Sequence, residues 1–281
     1  MTELSYALAV VASLTYGTSD FLGGLATKRG AALSVVVFSH LSGLLLLLLA
    51  LPFLPPSEPT PAVFAWGAAS GLAGGIGVAL LYRALAIGVM SVVAPVTAVC
   101  AVIVPLAVGL SLGERPTALA ILGVLLAIVA IVLVSQAGSI EAGKRATTAL
   151  PIAIASGGAI GVFLVFLERA GPSAGLWPLI AARVVSVAFF CVAALISRER
   201  LVLPRGSTAL VVGCGVLDML SNVLYLLAVR RGLLSIVATL TSLYPASTIL
   251  LAWIVLRERL GPVQWVGVGC AAVAIVLIMS G

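Results

Sequence analysis

The sequence predicts an all-α polytopic membrane protein with ten transmembrane helices in two inverted five-helix repeats. Three observations carry that prediction. Of 281 residues, 62% are hydrophobic and 9% charged, whereas a soluble domain carries about 25% charged residues because its surface meets water. Long apolar segments recur along the chain, separated by short stretches rich in Gly, Pro and Arg. The second half also repeats the first at an offset of 144 residues.

So little charge excludes a water-facing globular protein. The net charge of +6, from 15 Lys+Arg against 9 Asp+Glu, does not indicate nucleic acid either. The basic residues stand singly or in twos and threes between apolar segments, as loop anchors do, and no continuous basic face could track phosphates. If about 20 apolar residues make one bilayer crossing, ten crossings use roughly 200 positions and leave short loops.

The ten candidate spans follow in order. The first runs at about 4–26, after Glu3 and with no basic n-region of a signal peptide before it, so it is expected to stay in the mature protein. Lys28-Arg29-Gly30 separates it from a second at about 32–54, which Pro55-Pro56, Pro59 and Pro61 close. A third (about 62–82) and a fourth (about 89–112) lead to Glu114-Arg115-Pro116, and a fifth covers about 117–135. The sixth (about 149–168) ends before Gly171-Pro172, and the seventh (about 174–197) before Pro204-Arg205-Gly206. The eighth (about 208–229), ninth (about 233–256) and tenth (about 262–280) complete the set, with Gly261-Pro262 between the last two. In hydrocarbon every backbone amide needs an internal partner, and segments this long and continuously apolar satisfy that as helices; barrel strands would alternate.

Sliding the chain by 144 residues aligns Gly88 with Gly232, Ser91 with Ser235, Ala94 with Ala238, Thr97 with Thr241, Glu114-Arg115 with Glu258-Arg259, and Gly123 with Gly267. Ala130-Ile131-Val132-Leu133 and Ala274-Ile275-Val276-Leu277 are identical, and Gly17 pairs with Gly161 and Gly71 with Gly215. The repeat is therefore five helices long, with boundaries near 1–140 and 145–281, the two forming one integrated transmembrane domain. Because five is odd, the second copy enters the membrane upside down, as in secondary transporters that alternate access around a midplane site.

The stretch from Ala84 to Glu114-Arg115 and its copy from Ala228 to Glu258-Arg259 carry a resemblance. Each has a small-residue turn ending at Gly88 or Gly232, proline in the following helix (Pro95 and Pro105; Pro245), a Gly-Glu-Arg or Arg-Glu-Arg closure, and then a Gly-containing helix. Over nearly its whole length the chain resembles an EamA-type member of the drug/metabolite transporter superfamily. That resemblance implies ten helices made by duplication, with the first four of each half around the cavity and the fifth and tenth outside. Many such proteins have a basic residue early in the second helix; here Ser39-His40 stand there, with Arg183 only in the second copy.

Rival chemistries lack their parts. Gly138-Ser139-Ile140-Glu141-Ala142-Gly143-Lys144-Arg145 approaches a P-loop, but Arg145 replaces the Ser or Thr that holds Mg²⁺, and no strand precedes it. An aspartyl protease would need Gly-x-Gly-Asp, and Asp218 comes three residues after Gly215 instead of directly after it. His40 is the one histidine, and Cys100, Cys191, Cys214 and Cys270 lie apart in apolar segments, so neither a triad nor a zinc site assembles. No enzyme, metal or cofactor is expected.

Ionisable residues inside spans are costly and face a bundle interior or a water-filled cavity. Asp20, His40, Arg183 and Asp218 are such residues. Tyr16 and Asp20 share a helical face at i, i+4, as do Asp218 and Asn222, with Ser221 and Tyr225 on the same stripe. Tyr16, Asp20, His40, Arg183, Asp218, Asn222, Tyr225 and Tyr244 are the candidate pathway residues. Pro95, Pro105 and Pro245 are candidate helix breaks or gates, with packing kinks as the alternative. Tyr82, near a helix end, fits an interfacial anchor; His40 fits either a packing residue or a proton carrier.

The function expected is a secondary-active or facilitative carrier of small metabolites in the cell (inner) membrane. A zwitterion suits a cavity offering both Asp and Arg, and EamA-type exporters of amino acids make an amino-acid-like solute the leading expectation, with a proton as the candidate coupling ion. A multidrug or organic-cation efflux carrier is the alternative; an intramembrane enzyme and a non-transporting scaffold are the alternatives of other classes. Loops after odd-numbered spans hold most of the basic residues, which by the positive-inside rule makes them cytoplasmic and turns both termini outward.

Overall fold

The computed structural model describes residues 2–53, 57, 59–88, 90–134, 140–203, 205–257 and 261–280. Pro55-Pro56, Gly138-Ser139, Pro204 and Glu258-Arg259 lie outside the described residues, as do the side chains of Pro95 and of Ile140 to Arg145. Among the described residues every regular element is helical. The chain forms α1 (Thr2–Thr27), α2 (Ala32–Ala50), α3 (Pro61–Ile87), α4 (Met90–Ser111), α5 (Ala118–Val134) and α6 (Ile140–Arg169). It continues as α7 (Trp177–Ser197), α8 (Thr208–Val229), α9 (Leu234–Thr241), α10 (Tyr244–Leu256) and α11 (Pro262–Ser280).

Local chemistry sets several of these ends. Thr60 accepts a hydrogen bond from the Val63 amide, and Pro61 opens α3 where its missing N–H costs nothing. Glu114, in the loop after α4, accepts from the amides of Leu234 (2.6 Å) and Ser235 (3.0 Å), closing the N-terminus of α9 from the other half of the chain. Gly109 leaves room for that carboxylate, since a Cβ there would meet it. Arg230, just past α8, donates to the carbonyls of Gly171 and Gly175 and ties down the α6–α7 loop. Burial, and then the adjacent Arg231, lower the pKa of Arg230 from its ordinary value.

Among the described residues, seven helical spans are long and apolar enough to cross a membrane: Ala32–Phe53, Pro61–Ile87, Thr148–Arg169, Trp177–Ser197, Thr208–Val229, Leu234–Leu256 and Pro262–Ser280. Ala118–Leu133, within α5, is apolar but shorter. α1 has the length yet is not among the seven; Thr15, Tyr16, Thr18, Ser19 and Asp20 lower its apolar character. Two boundaries differ from those read off the sequence. α3 runs on to Ile87 and so contains Arg83, and α6 begins at Ile140, so Lys144-Arg145 lie on a helix rather than in a loop.

The ninth span is the most enclosed of the seven, and it is broken. α9 ends at Thr241, Ser242 and Leu243 make a turn, and α10 restarts with Pro245 in its first turn. Proline cannot donate to the preceding helix and is at home at a helix start, so the break falls where Pro245 lies. The interruption expected in the fourth helix is not seen: α4 is one helix with Pro95 and Pro105 inside it. Proline at 105 deprives the Ala101 carbonyl of its helical partner; that carbonyl faces Gly161 of α6, whose absent Cβ would lie 2.9 Å away. Packing against a glycine lets the helix keep its course.

Packing exchanges the two halves. α1 lies against α8, α9 and α10, while its repeat counterpart α6 lies against α3 and α4. α2 packs on α8 and α7 on α3; α2 also meets α7, α4 meets α9, and α5 meets α11. Each contact thus has its partner when the halves are swapped. The paired glycines sit at corresponding crossings: Gly17 against the Tyr244 carbonyl and Ser247, Gly161 against the Ala101 carbonyl and Val104, Gly71 against the Ala182 backbone, and Gly215 against the Ser39 carbonyl. At each, a Cβ would collide, so these backbones approach more closely than any larger residue allows.

Candidate functional site

At the centre, where α1, α3, α6, α7, α8 and the α9–α10 break converge, lies a cavity of about 750 Å³ counting its open side. The lining combines apolar walls from α3 and α6 with polar groups from α1, α7, α8 and the break. Of the eight candidate pathway residues, Tyr16, Asp20, Arg183, Asp218, Asn222 and Tyr244 line it together; His40 and Tyr225 do not.

The polar groups form a chain. Arg183 Nη2 donates to Asp218 Oδ2 in a close ion pair between α7 and α8. Asn222 Nδ2 donates to the same Oδ2 (3.2 Å) and to the Asp218 main-chain carbonyl (2.7 Å). Tyr16 OH then donates to Asn222 Oδ1 at 2.8 Å. The i, i+4 spacing of Asp218 and Asn222 is what puts both side chains on one face of α8. An unpaired charge in a low-dielectric interior costs several kcal/mol, and this arrangement offsets that cost for both Arg183 and Asp218. A further bond between the hydroxyls of Ser221 and Thr15 (2.7 Å) fixes α8 against α1 beside it.

Asp20 differs from Asp218. Its carboxylate borders the cavity yet forms no hydrogen bond or ion pair among the described residues. Two other groups in the wall lack a partner there: Tyr244 OH and Thr241 Oγ1, both on buried side chains. Thr241 and Ser242 did not stand out in the sequence; the alignment of Thr241 with Thr97 and the short polar run before Pro245 were the available signals. Gly71, Gly74 and Gly75 also line the cavity, and α3 lies close because of them: a Cβ at Gly74 would meet the Phe163 ring 2.7 Å away.

The remaining candidates sit behind the wall. His40 is buried, with Nδ1 at 2.6 Å from Ser186 Oγ, and Ser186 is what reaches the cavity. His40 Nε2 has no partner among the described residues, which favours the tautomer protonated at Nδ1, because a bare lone pair is less costly to bury than a bare N–H. Tyr225 donates its hydroxyl to the Leu164 carbonyl at 3.1 Å and is fully buried. Tyr82 is not an interfacial anchor. It is buried, with its hydroxyl 3.0 Å from Cys214 Sγ, because α3 extends past it and brings it against α8.

Comparison with known proteins follows the same outline. No curated relative matches the chain. A solved structure titled "Crystal structure of protein" is similar over 97% of this chain and 95% of its own, with a TM-score of 0.72 and 16% identity, which speaks to the fold alone. The EamA-like transporter family matches residues 3–136 and again residues 147–280. Matched twice, across almost its full length, by a family of membrane transporters of small solutes, the chain belongs to the EamA-like transporter family of the drug/metabolite transporter superfamily.

Proposed function

We propose that the protein is a secondary-active or facilitative carrier that exports small amino-acid-like solutes across the cell (inner) membrane by alternating access. In this reading residues 1–140 and 145–281 are two inverted repeats of five transmembrane helices, α9 and α10 together forming the ninth. The exchange symmetry of the helix contacts supports a pseudo-two-fold between the halves, and an odd number of spans in each half would make that relation an inversion. The observation that carries the function is the Arg183–Asp218 pair facing a central cavity between the halves. A solute carboxylate can compete with Asp218 for Arg183, so binding and the α7–α8 contact are coupled. The α9–α10 break supplies a hinge in the most enclosed span.

An organic-cation carrier is the second reading, favoured by the unpaired Asp20. Purified protein in proteoliposomes, screened with a panel of radiolabelled metabolites, tests both. Saturable flux of amino acids that requires their carboxylate supports the first. Flux of cations lacking a carboxylate supports the second, and no flux of any panel member rejects the carrier.

A further inference from the structure

We propose that Asp20, with the hydroxyls of Tyr244 and Thr241, is the subsite that receives a primary ammonium group of the solute. This rests on the carrier reading and deepens it. The cavity holds two carboxylates, and only one is committed: Asp218 already accepts from Arg183 and from Asn222. Asp20 accepts from nothing among the described residues. A buried polar group left without a partner is disfavoured unless water or a ligand supplies one, and two such groups, Tyr244 OH and Thr241 Oγ1, line the same cavity as Asp20.

Their adjacency is set by the backbone. Gly17, three residues before Asp20, packs directly on the Tyr244 carbonyl, and Thr248 Oγ1 donates to the Gly17 carbonyl at 3.0 Å, which fixes α1 against the start of α10. Thr241 ends α9 one short turn before Tyr244. The chemistry offered is that of an ammonium cradle. A primary ammonium has three N–H donors; a carboxylate and two hydroxyl oxygens are three acceptors. An anion would meet the Asp20 carboxylate unscreened. Arg183 of α7 and Asp20 of α1 then divide the work, one for a carboxylate and one for an ammonium.

The test uses three probes with one carbon skeleton: leucine, 3-methylbutylamine, which lacks the carboxylate, and 4-methylpentanoate, which lacks the ammonium. Binding to the purified full-length protein is read by thermal shift and by competition, and flux is read in proteoliposomes. Asp20→Asn is expected to weaken leucine and 3-methylbutylamine by roughly tenfold or more, the scale of a lost charge-assisted hydrogen bond, and to leave 4-methylpentanoate unchanged. Tyr244→Phe removes one hydroxyl and retains the ring; it is expected to weaken the same two probes severalfold, and it decides the matter if Asp20→Asn does not purify as a monodisperse protein. Unchanged binding of both ammonium-bearing probes in these variants, with transport intact, overturns the subsite and leaves the carrier standing. Equal losses for all three probes also overturn it. Absence of binding and flux for every probe in the unaltered protein instead overturns the carrier reading, and the subsite with it.

Discussion

Arg183 and Asp218 hold one another across α7 and α8, and Asn222 reaches the same Asp218 oxygen from one turn along. At the same offset the first repeat has Ser39 and Gly74, so the pair is not something the repeat needs in order to pack. Removing one partner of a buried pair costs about 3–5 kcal/mol because the other charge is left bare. Arg183→Gln and Asp218→Asn are each expected to lower the thermal midpoint and to cut proteoliposome flux at least tenfold. The double variant is expected to recover much of the midpoint and none of the flux. Recovery of both would reduce the pair to a structural tie.

Glu114 is expected to matter for stability more than for solute. It accepts from two amides of an eight-residue helix that has no side-chain cap of its own. Glu114→Ala should destabilise by about 1–2 kcal/mol, the scale of a lost charged cap, read as a lower midpoint by tryptophan fluorescence, with affinity for any transported solute little changed.

Glycine substitutions should divide by what they meet. Gly71→Ala places a methyl into the Ala182 backbone, which cannot retreat without separating α3 from α7. Loss of monodisperse protein on size-exclusion chromatography is expected. Gly158→Ala meets nothing within 4 Å and should be neutral or stabilising by up to about 1 kcal/mol.

His40 is expected to behave as a packing residue. It touches the cavity through Ser186 alone. His40→Asn should lower stability while the pH profile of flux keeps its shape; a lost or displaced titration step would make His40 a proton carrier instead.

The helices were legible because hydropathy is a local property and each apolar run is longer than any other element could use. The repeat was legible because close backbone crossings demand glycine: Gly17 with Gly161 and Gly71 with Gly215 stand out in sequence for the reason they collide in space. What the sequence hid was facing. In a helix apolar all round, lipid and core ask for the same side chains, so nothing local placed His40 and Tyr225 behind the wall while Tyr16 and Tyr244 lined it. Pro105 and Pro245 read alike, yet one is absorbed against Gly161 and the other starts a helix. Glu114 read only as part of the punctuation after the fourth span because its partners lie 120 residues away.

The exchanged packing has a consequence for the order of synthesis. α1 is made first, and its neighbours α8, α9 and α10 are made late; the Tyr16–Asn222 bond alone joins residues 206 positions apart. For most of translation, then, the first helix stands in the bilayer with Tyr16, Ser19 and Asp20 presented to lipid or to whatever holds the helix meanwhile. A nascent chain stalled before α8 should therefore be handed to quality-control proteases as if it were defective, and the life of the protein in the cell depends on how quickly its second half arrives.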